Sequence, residues 1–319
     1  MGPKLTPIDV FVNMPPMWRA GSAKWFCCVA VFAALILPAT AQASGQVFYG
    51  GWYDSAIGSV SFDGSNPQPN LIVNQLTVPF ALAVSGEYLY WESNSFPVDI
   101  GRSRLDGSEL NPQFITAPGG AFGSNGLSIS NGRIYWSETR NSTGFGPALL
   151  SSANLDGSDQ QNRFLSLGSN AAGASLVIGG WAFLVTHKEV RGVEHYSIAR
   201  RRLDGKGSRR LVAANRPFVG EALVGDGSHI YWLEGEDRNL FIARASINAG
   251  SLNTRWRHIP RKGCHVHEDI GGIAISSEFL FLGCPGGDVD RVALRGRTRV
   301  KMLSTGAALG SGPVLAATP

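Results

Sequence analysis

The chain has 319 residues, 44% hydrophobic and 16% charged, with a net charge of +4. Forty glycines and seventeen prolines suit a turn-dense all-β protein, and no segment keeps a helical period. No linker or low-complexity stretch interrupts residues 44–319, which excludes a string of separate domains there and leaves ample chain for one core.

The first 43 residues read differently from the rest. Arg19 and Lys24 precede a thirteen-residue apolar run, Trp25 to Leu37, and then Pro38-Ala39-Thr40-Ala41-Gln42-Ala43. A basic region, a short apolar core and an Ala-x-Ala ending predict a secretory signal peptide over 1–43, cleaved after Ala41 or Ala43. The run is short of the roughly 20 residues that span a bilayer, so no transmembrane anchor is expected after processing.

From residue 44 a Tyr-Trp pair recurs. Strong copies are Tyr90-Trp91, Tyr135-Trp136 and Tyr231-Trp232; weaker copies are read at Tyr49-Gly50, Phe183-Leu184 and Phe281-Leu282. Their first members lie 41, 45, 48, 48 and 50 residues apart. A hydrophobic-Asp-Gly turn keeps the same phase at Phe62-Asp63-Gly64, Leu105-Asp106-Gly107, Leu155-Asp156-Gly157 and Leu203-Asp204-Gly205, with degenerate copies at Ile247-Asn248-Ala249-Gly250 and Leu294-Arg295-Gly296. Repeats of this length made of short strands and tight turns predict an all-β, six-bladed β-propeller of four-stranded blades over 44–319.

The second repeat shows the pattern in chain order. Phe80 to Val84 is small and apolar throughout, as a doubly buried inner strand should be. Ser85-Gly86-Glu87 turns the chain into aromatic Tyr88 to Trp91, and Ile100 to Leu105 alternates up to Asp106-Gly107. The first repeat lacks an inner strand before Val47-Phe48-Tyr49. Gly312 to Ala317 resembles Val78 to Ala83, so the C-terminal strand is expected to complete the first blade and close the ring, removing exposed sheet edges.

These residues resemble the YWTD repeat, the low-density lipoprotein receptor class B module. The family follows an Ile-Tyr-Trp-Thr-Asp strand with an Ile-x-Arg-Ala-x-Leu-Asp-Gly-Ser stretch. Here Leu89-Tyr90-Trp91-Glu92-Ser93 precedes Ile100-Gly101-Arg102-Ser103-Arg104-Leu105-Asp106-Gly107-Ser108, and Ile230-Tyr231-Trp232-Leu233-Glu234 precedes Ile242-Ala243-Arg244-Ala245. The resemblance implies a six-bladed propeller; with the leader segment and without the cysteine-rich modules that flank it in receptors, a stand-alone, secreted member is expected. The family's Asp is replaced by Glu92, Glu138 and Glu234, with one residue of slippage. A residue placed by the repeat is expected to be architectural, bonding a neighbouring blade's backbone.

Candidate sites are few. Six-bladed calcium-dependent lactonases carry acidic and amide oxygens where inner strands open onto the central channel. Asn125, Glu221 and Asp269, with His267 nearby, stand at such positions, which keeps open a metal-dependent hydrolase or lyase holding calcium or zinc at the channel mouth. Phe80, Ala174 and Val314 open the other inner strands and offer no ligand. His265, His267, Glu268 and Asp269 also form a polar cluster beside Cys264. Cys264 and Cys284 flank the last inner strand and are expected to form a disulfide in an oxidising compartment, the alternative being a buried free thiol pair.

No Gly-x-Ser-x-Gly elbow, phosphate loop or zinc-helix motif occurs, so a non-catalytic binding module, monomeric and without a cofactor, is expected. Residues 44–181 carry 5 Lys/Arg against 10 Asp/Glu, whereas 182–319 carry 20 against 13. The densest basic cluster includes Arg201, Arg202, Arg209 and Arg210; a second runs from Arg291 to Lys301. Both are expected to form exposed rims suited to an anionic polymer or an extracellular or envelope protein. Nucleic acid is not the expected partner of an exported chain.

Overall fold

The computed structural model describes residues 45–319 apart from 52–54, 74–77, 94, 118–121, 124–125, 140–144, 192, 209, 219–221, 237–238, 261–270, 285–286, 298–299 and 307–313. The expected signal peptide lies outside the described residues. Among those described, no helix is long and apolar enough to cross a membrane.

Every described element is a strand, and the strands form six antiparallel four-stranded blades in a ring. The first blade holds β1 (Gln46–Gly50), β2 (Ile57–Ser61) and β3 (Gln68–Ile72). The second is β4 (Pro79–Ser85), β5 (Tyr88–Ser93), β6 (Asp99–Arg104) and β7 (Asn111–Thr116). In the third, β8 (Phe122–Gly123) and β9 (Ser128–Ser130) both pair with β10 (Arg133–Thr139), followed by β11 (Phe145–Asn154). β12 (Gln161–Ile178) is 18 residues long: its first part is the outer strand of the third blade, and its last part is the inner strand of the fourth. The fourth blade continues through β13 (Trp181–Val190), β14 (Val193–Arg202) and β15 (Arg210–Arg216). The fifth is β16 (Val224–Gly225), β17 (His229–Glu236), β18 (Asn239–Ser246) and β19 (Asn253–Ile259). The sixth is β20 (Ile273–Ile275), β21 (Phe279–Gly283), β22 (Asp288–Ala293) and β23 (Val300–Ser304).

β24 (Val314–Ala317) then returns to the first blade and pairs with β1, Val314 opposite Gly50 and Ala317 opposite Val47. The predicted closure is therefore made by main-chain bonds. Gln46 N–H donates to Thr318 Oγ1, and Thr318 N–H to the Gln46 carbonyl, both at 3.0 Å.

The core is six apolar layers, each between two neighbouring blades. Tyr90 packs toward the third blade with Ile134 and Trp136, while Trp91 packs toward the first with Phe48 and Ile57. Tyr231 and Trp232 divide in the same way between the sixth and fourth blades. Successive side chains of a strand point to opposite faces, so an aromatic pair fills the two interfaces that flank its blade. This explains the repeat and corrects its phase in the first blade. Phe48 faces the second blade and Tyr49 the sixth, so the matching pair there is Phe48-Tyr49, not Tyr49-Gly50. The strand opposite confirms the match. Trp91 lies over Gly101, where a Cβ would sit 2.0 Å from a ring atom, and Tyr49 lies over Gly58, where it would sit 2.4 Å away.

The Asp-Gly turns behave as read. Ser108 N–H and Oγ–H donate to Asp106 Oδ1 at 2.9 and 2.6 Å, and Gly107 takes φ +84°. Strand alternation puts the first–second and third–fourth hairpins of every blade on one face, called here the turn face. The second–third hairpins and the links between blades lie on the other.

Candidate functional site

The three repeated glutamates are buried, with 0%, 1% and 3% of Glu92, Glu138 and Glu234 exposed. They do not share one role. Glu92 accepts Gly126 N–H at 3.2 Å, a bond to the next blade's backbone as expected. Glu138 instead accepts Trp136 Nε1–H at 2.9 Å and Ser151 Oγ–H at 2.5 Å, and pairs with Arg163 at 2.9 Å. Glu234 accepts Trp232 Nε1–H at 2.8 Å and takes both Arg216 Nε–H and Nη2–H, at 2.8 and 2.5 Å. Arg163 comes from its own blade's outer strand and Arg216 from the preceding blade's. All three carboxylates are structural anchors. In the second blade Trp91 is wholly buried and its Nε1–H has no acceptor.

Part of the basic cluster is structural as well. Arg200 is 5% exposed, donates to the Ile247 carbonyl in the fifth blade's turn and stacks 4.1 Å from the Trp181 ring. Burial, and then Arg210 opposite it on β15, pull its guanidinium down from its ordinary pKa range. Arg102 Nη1–H reaches the Leu155 carbonyl at 3.4 Å, and Arg291 the Phe62 carbonyl. From an outer strand, Arg257 reaches the Leu294 and Gly296 carbonyls at 3.1 and 2.8 Å. Each arginine ties its blade to the hydrophobic-Asp-Gly turn of the next or to its degenerate copy. Burial also lowers Arg291 from the ordinary range. These ties were missed in the sequence, although the hydrophobic-small-Arg pattern of Ile100-Gly101-Arg102 and Ile198-Ala199-Arg200 is a signal for them.

Of the predicted rim, Arg202 and Arg210 are exposed on the turn face, Arg202 paired with Asp204 at 2.9 Å. Arg201 is half-buried and donates to the Ser166 carbonyl at 2.6 Å. Arg209 lies outside the described residues. Lys206, Arg295 and Arg297 add exposed positive charge to the same face, and Lys301 bonds the Asp63 carbonyl at 2.5 Å.

The turn face also holds one strongly shifted carboxyl. Burial by itself would raise Asp226, but hydrogen bonds from Tyr231, His229 and Ser228 hold it at about 2. The Tyr231 hydroxyl, 2.6 Å from Asp226, is pushed by burial and that carboxylate to about 12. The pair is a turn anchor.

The inner strands surround a central cavity of about 540 Å³. Phe80, Val84, Ile129, Leu176, Val224 and Ile275 stand on its wall, and no charged side chain is among the described lining residues. Ser128, Ser175 and Tyr196 are the polar ones. Ser128 Oγ accepts Val177 N–H at 3.0 Å across the blade interface, and Ser175 Oγ lies against Gly126. Asn125, Glu221, His267 and Asp269 lie outside the described residues, as does Cys264. Among the described residues no group of three or more His, Cys, Asp or Glu could hold a metal ion. Cys284 is buried and disulfide-bonded.

No family model matches the chain, and no curated protein sequence matches it. Solved structures do. The chain is similar to one in the crystal structure of a nidogen/laminin complex, with a TM-score of 0.61 and 14% identity over 86% of this chain and 99% of that one. It is also similar to TolB from Acinetobacter baumannii, with a TM-score of 0.56 and 17% identity over 86% of this chain and 67% of that one. The likeness is one of fold: all are β-propellers.

Proposed function

We propose that this chain is an exported, non-catalytic propeller that binds an envelope or extracellular protein, or an anionic polymer, across its turn face. The observation that carries the reading is the division of charge on that face. Blades two and three expose Glu87, Asp106, Glu109, Asp156 and Asp159, whereas blades four and six expose Arg202, Lys206, Arg210, Arg295 and Arg297. A surface split in this way orients a charged partner before contact and favours an anionic one over the basic half. The carboxylates that the repeat places are all engaged in holding the blades.

On this reading the chain belongs with the YWTD-repeat propellers, supported by the repeat residues and by the fold shared with the nidogen/laminin complex chain. Residues 1–43 are a cleaved leader, and Cys264 is the partner of Cys284. The test is binding to cell-wall polymer and to anionic lipid vesicles across a salt series. Affinity should fall steeply as salt rises, because exposed charges are screened over about 8 Å at physiological salt. Replacing Arg202, Lys206, Arg210 and Arg295 by Ser should flatten that slope at unchanged far-UV circular dichroism. Equal binding by the variant and the parent would sink the anionic-partner reading.

A further inference from the structure

We propose that the central cavity is a binding site for a neutral, elongated, mainly hydrocarbon molecule such as a long-chain alcohol or amide. Three observations carry this, none of which depends on the turn face. First, the size fits: about 540 Å³ lies within the roughly 300–1,000 Å³ of small-molecule sites. A ring of inner strands lines it, which leaves room for a small molecule and none for a folded partner.

Second, apolar side chains share the wall with backbone polar groups. Val84, Ile129, Leu176, Val224 and Ile275 are half-buried at the blade interfaces and border this space. Apolar surface held against water is what a hydrocarbon chain would cover, at about 0.8 kcal/mol per methylene.

Third, the polar groups among the described lining residues are neutral. β4, β16, β20 and β24 each stand at the end of their sheet, with one side of the backbone unpaired by any strand. Their N–H and C=O groups can bond a hydroxyl or amide. With no charged side chain among the described lining residues, nothing there compensates the desolvation of a carboxylate or ammonium head. The described part of the wall therefore disfavours a charged head.

The experiment uses the full chain and the neutral fluorophore N-phenyl-1-naphthylamine, displaced by alkanols of increasing length and by alkanoates and alkylamines of matched length. One saturable site per chain is expected, with alkanol affinity rising about fourfold per methylene until the cavity is full, and matched ions at least about tenfold weaker. Ile178→Trp with Val224→Trp should abolish binding, whereas Met302→Trp on the outer rim should not change it. A photoreactive diazirine alkanol should label peptides from β4, β16 and β20, a readout that needs no variant to fold. Absence of saturable binding, equal affinity for alkanols and alkanoates, or labelling confined to outer strands would each overturn the proposal.

Discussion

Blades two and three start from the same Tyr-Trp pair and resolve it differently. In blade three the carboxylate is Glu138, two residues beyond Trp136; in blade two it is Glu92, one residue beyond Trp91. Because strand side chains alternate, a slip of one residue sends the carboxylate to the opposite face. Glu138 therefore lies beside its tryptophan and gathers Trp136, Ser151 and Arg163, whereas Glu92 faces the next blade and holds Gly126 N–H. Trp91 is left buried with its N–H unmatched. Blade three carries an internal polar anchor; blade two gives up that anchor for a tie to its neighbour. Similar composition does not mean similar wiring when the period is two.

The contrast can be broken most forcefully at the carboxylates. Glu138→Ala removes a buried acceptor of three donors at once, one of them the half-buried Arg163 guanidinium, so it should cost about 3 kcal/mol. Glu92→Ala, which removes the tie to the neutral Gly126 N–H, should cost at least about 1–2 kcal/mol. Urea midpoints measure both, and equal losses would show the two glutamates to be equivalent.

A smaller separation is expected at the tryptophans. Trp136→Phe and Trp91→Phe remove similar ring volume, but only the first deprives a carboxylate of a donor. Trp136→Phe should therefore be the more destabilising by about 1 kcal/mol. The reverse order would mean that Trp91 Nε1–H is satisfied in solution.

The smallest effect lies at the outward ties. Arg102 bonds Leu155 and stacks 4.0 Å from Phe114 and 4.5 Å from Tyr88, while Ser152 occupies the matching register in blade three, opposite Tyr135. Arg102→Met should lose about 0.5–1 kcal/mol, read as a small fall in melting temperature. Ser152→Ala should lose less; a larger loss there would contradict the assignment of the blade two–three tie to Arg102.

What could be read in advance was whatever repeats with a local cause. Aromatic pairs at fixed spacing, Asp-Gly turns and the likeness of Gly312–Ala317 to Val78–Ala83 are local patterns, and they yielded the six blades and the closing strand. The first blade was read one residue out of phase because Tyr49 carries the same residue name as Tyr90, whereas its partner Gly58 places it as the counterpart of Trp91. Arg200 adjoins the predicted rim at Arg201 and Arg202, but its burial against Trp181 and the fifth blade's turn depends on residues distant in the chain. The cavity wall was hidden for the same reason, being assembled from inner strands of separate repeats. The polar positions named for the channel mouth, Asn125, Glu221, His267 and Asp269, lie outside the described residues.

β12 carries a consequence for rewiring the molecule. The natural ends of the ring are already neighbours, joined in both directions between Gln46 and Thr318. A short linker there would make the ring topologically endless, and new ends opened between blades would yield circular permutants. One position is unsuitable. Between blades three and four there is no slack loop to cut, because Gln161–Ile178 runs as one strand through both sheets. Opening the chain there severs the backbone that couples two blades, so a permutant cut at Gly168–Ser175 should fail where those cut at other seams fold.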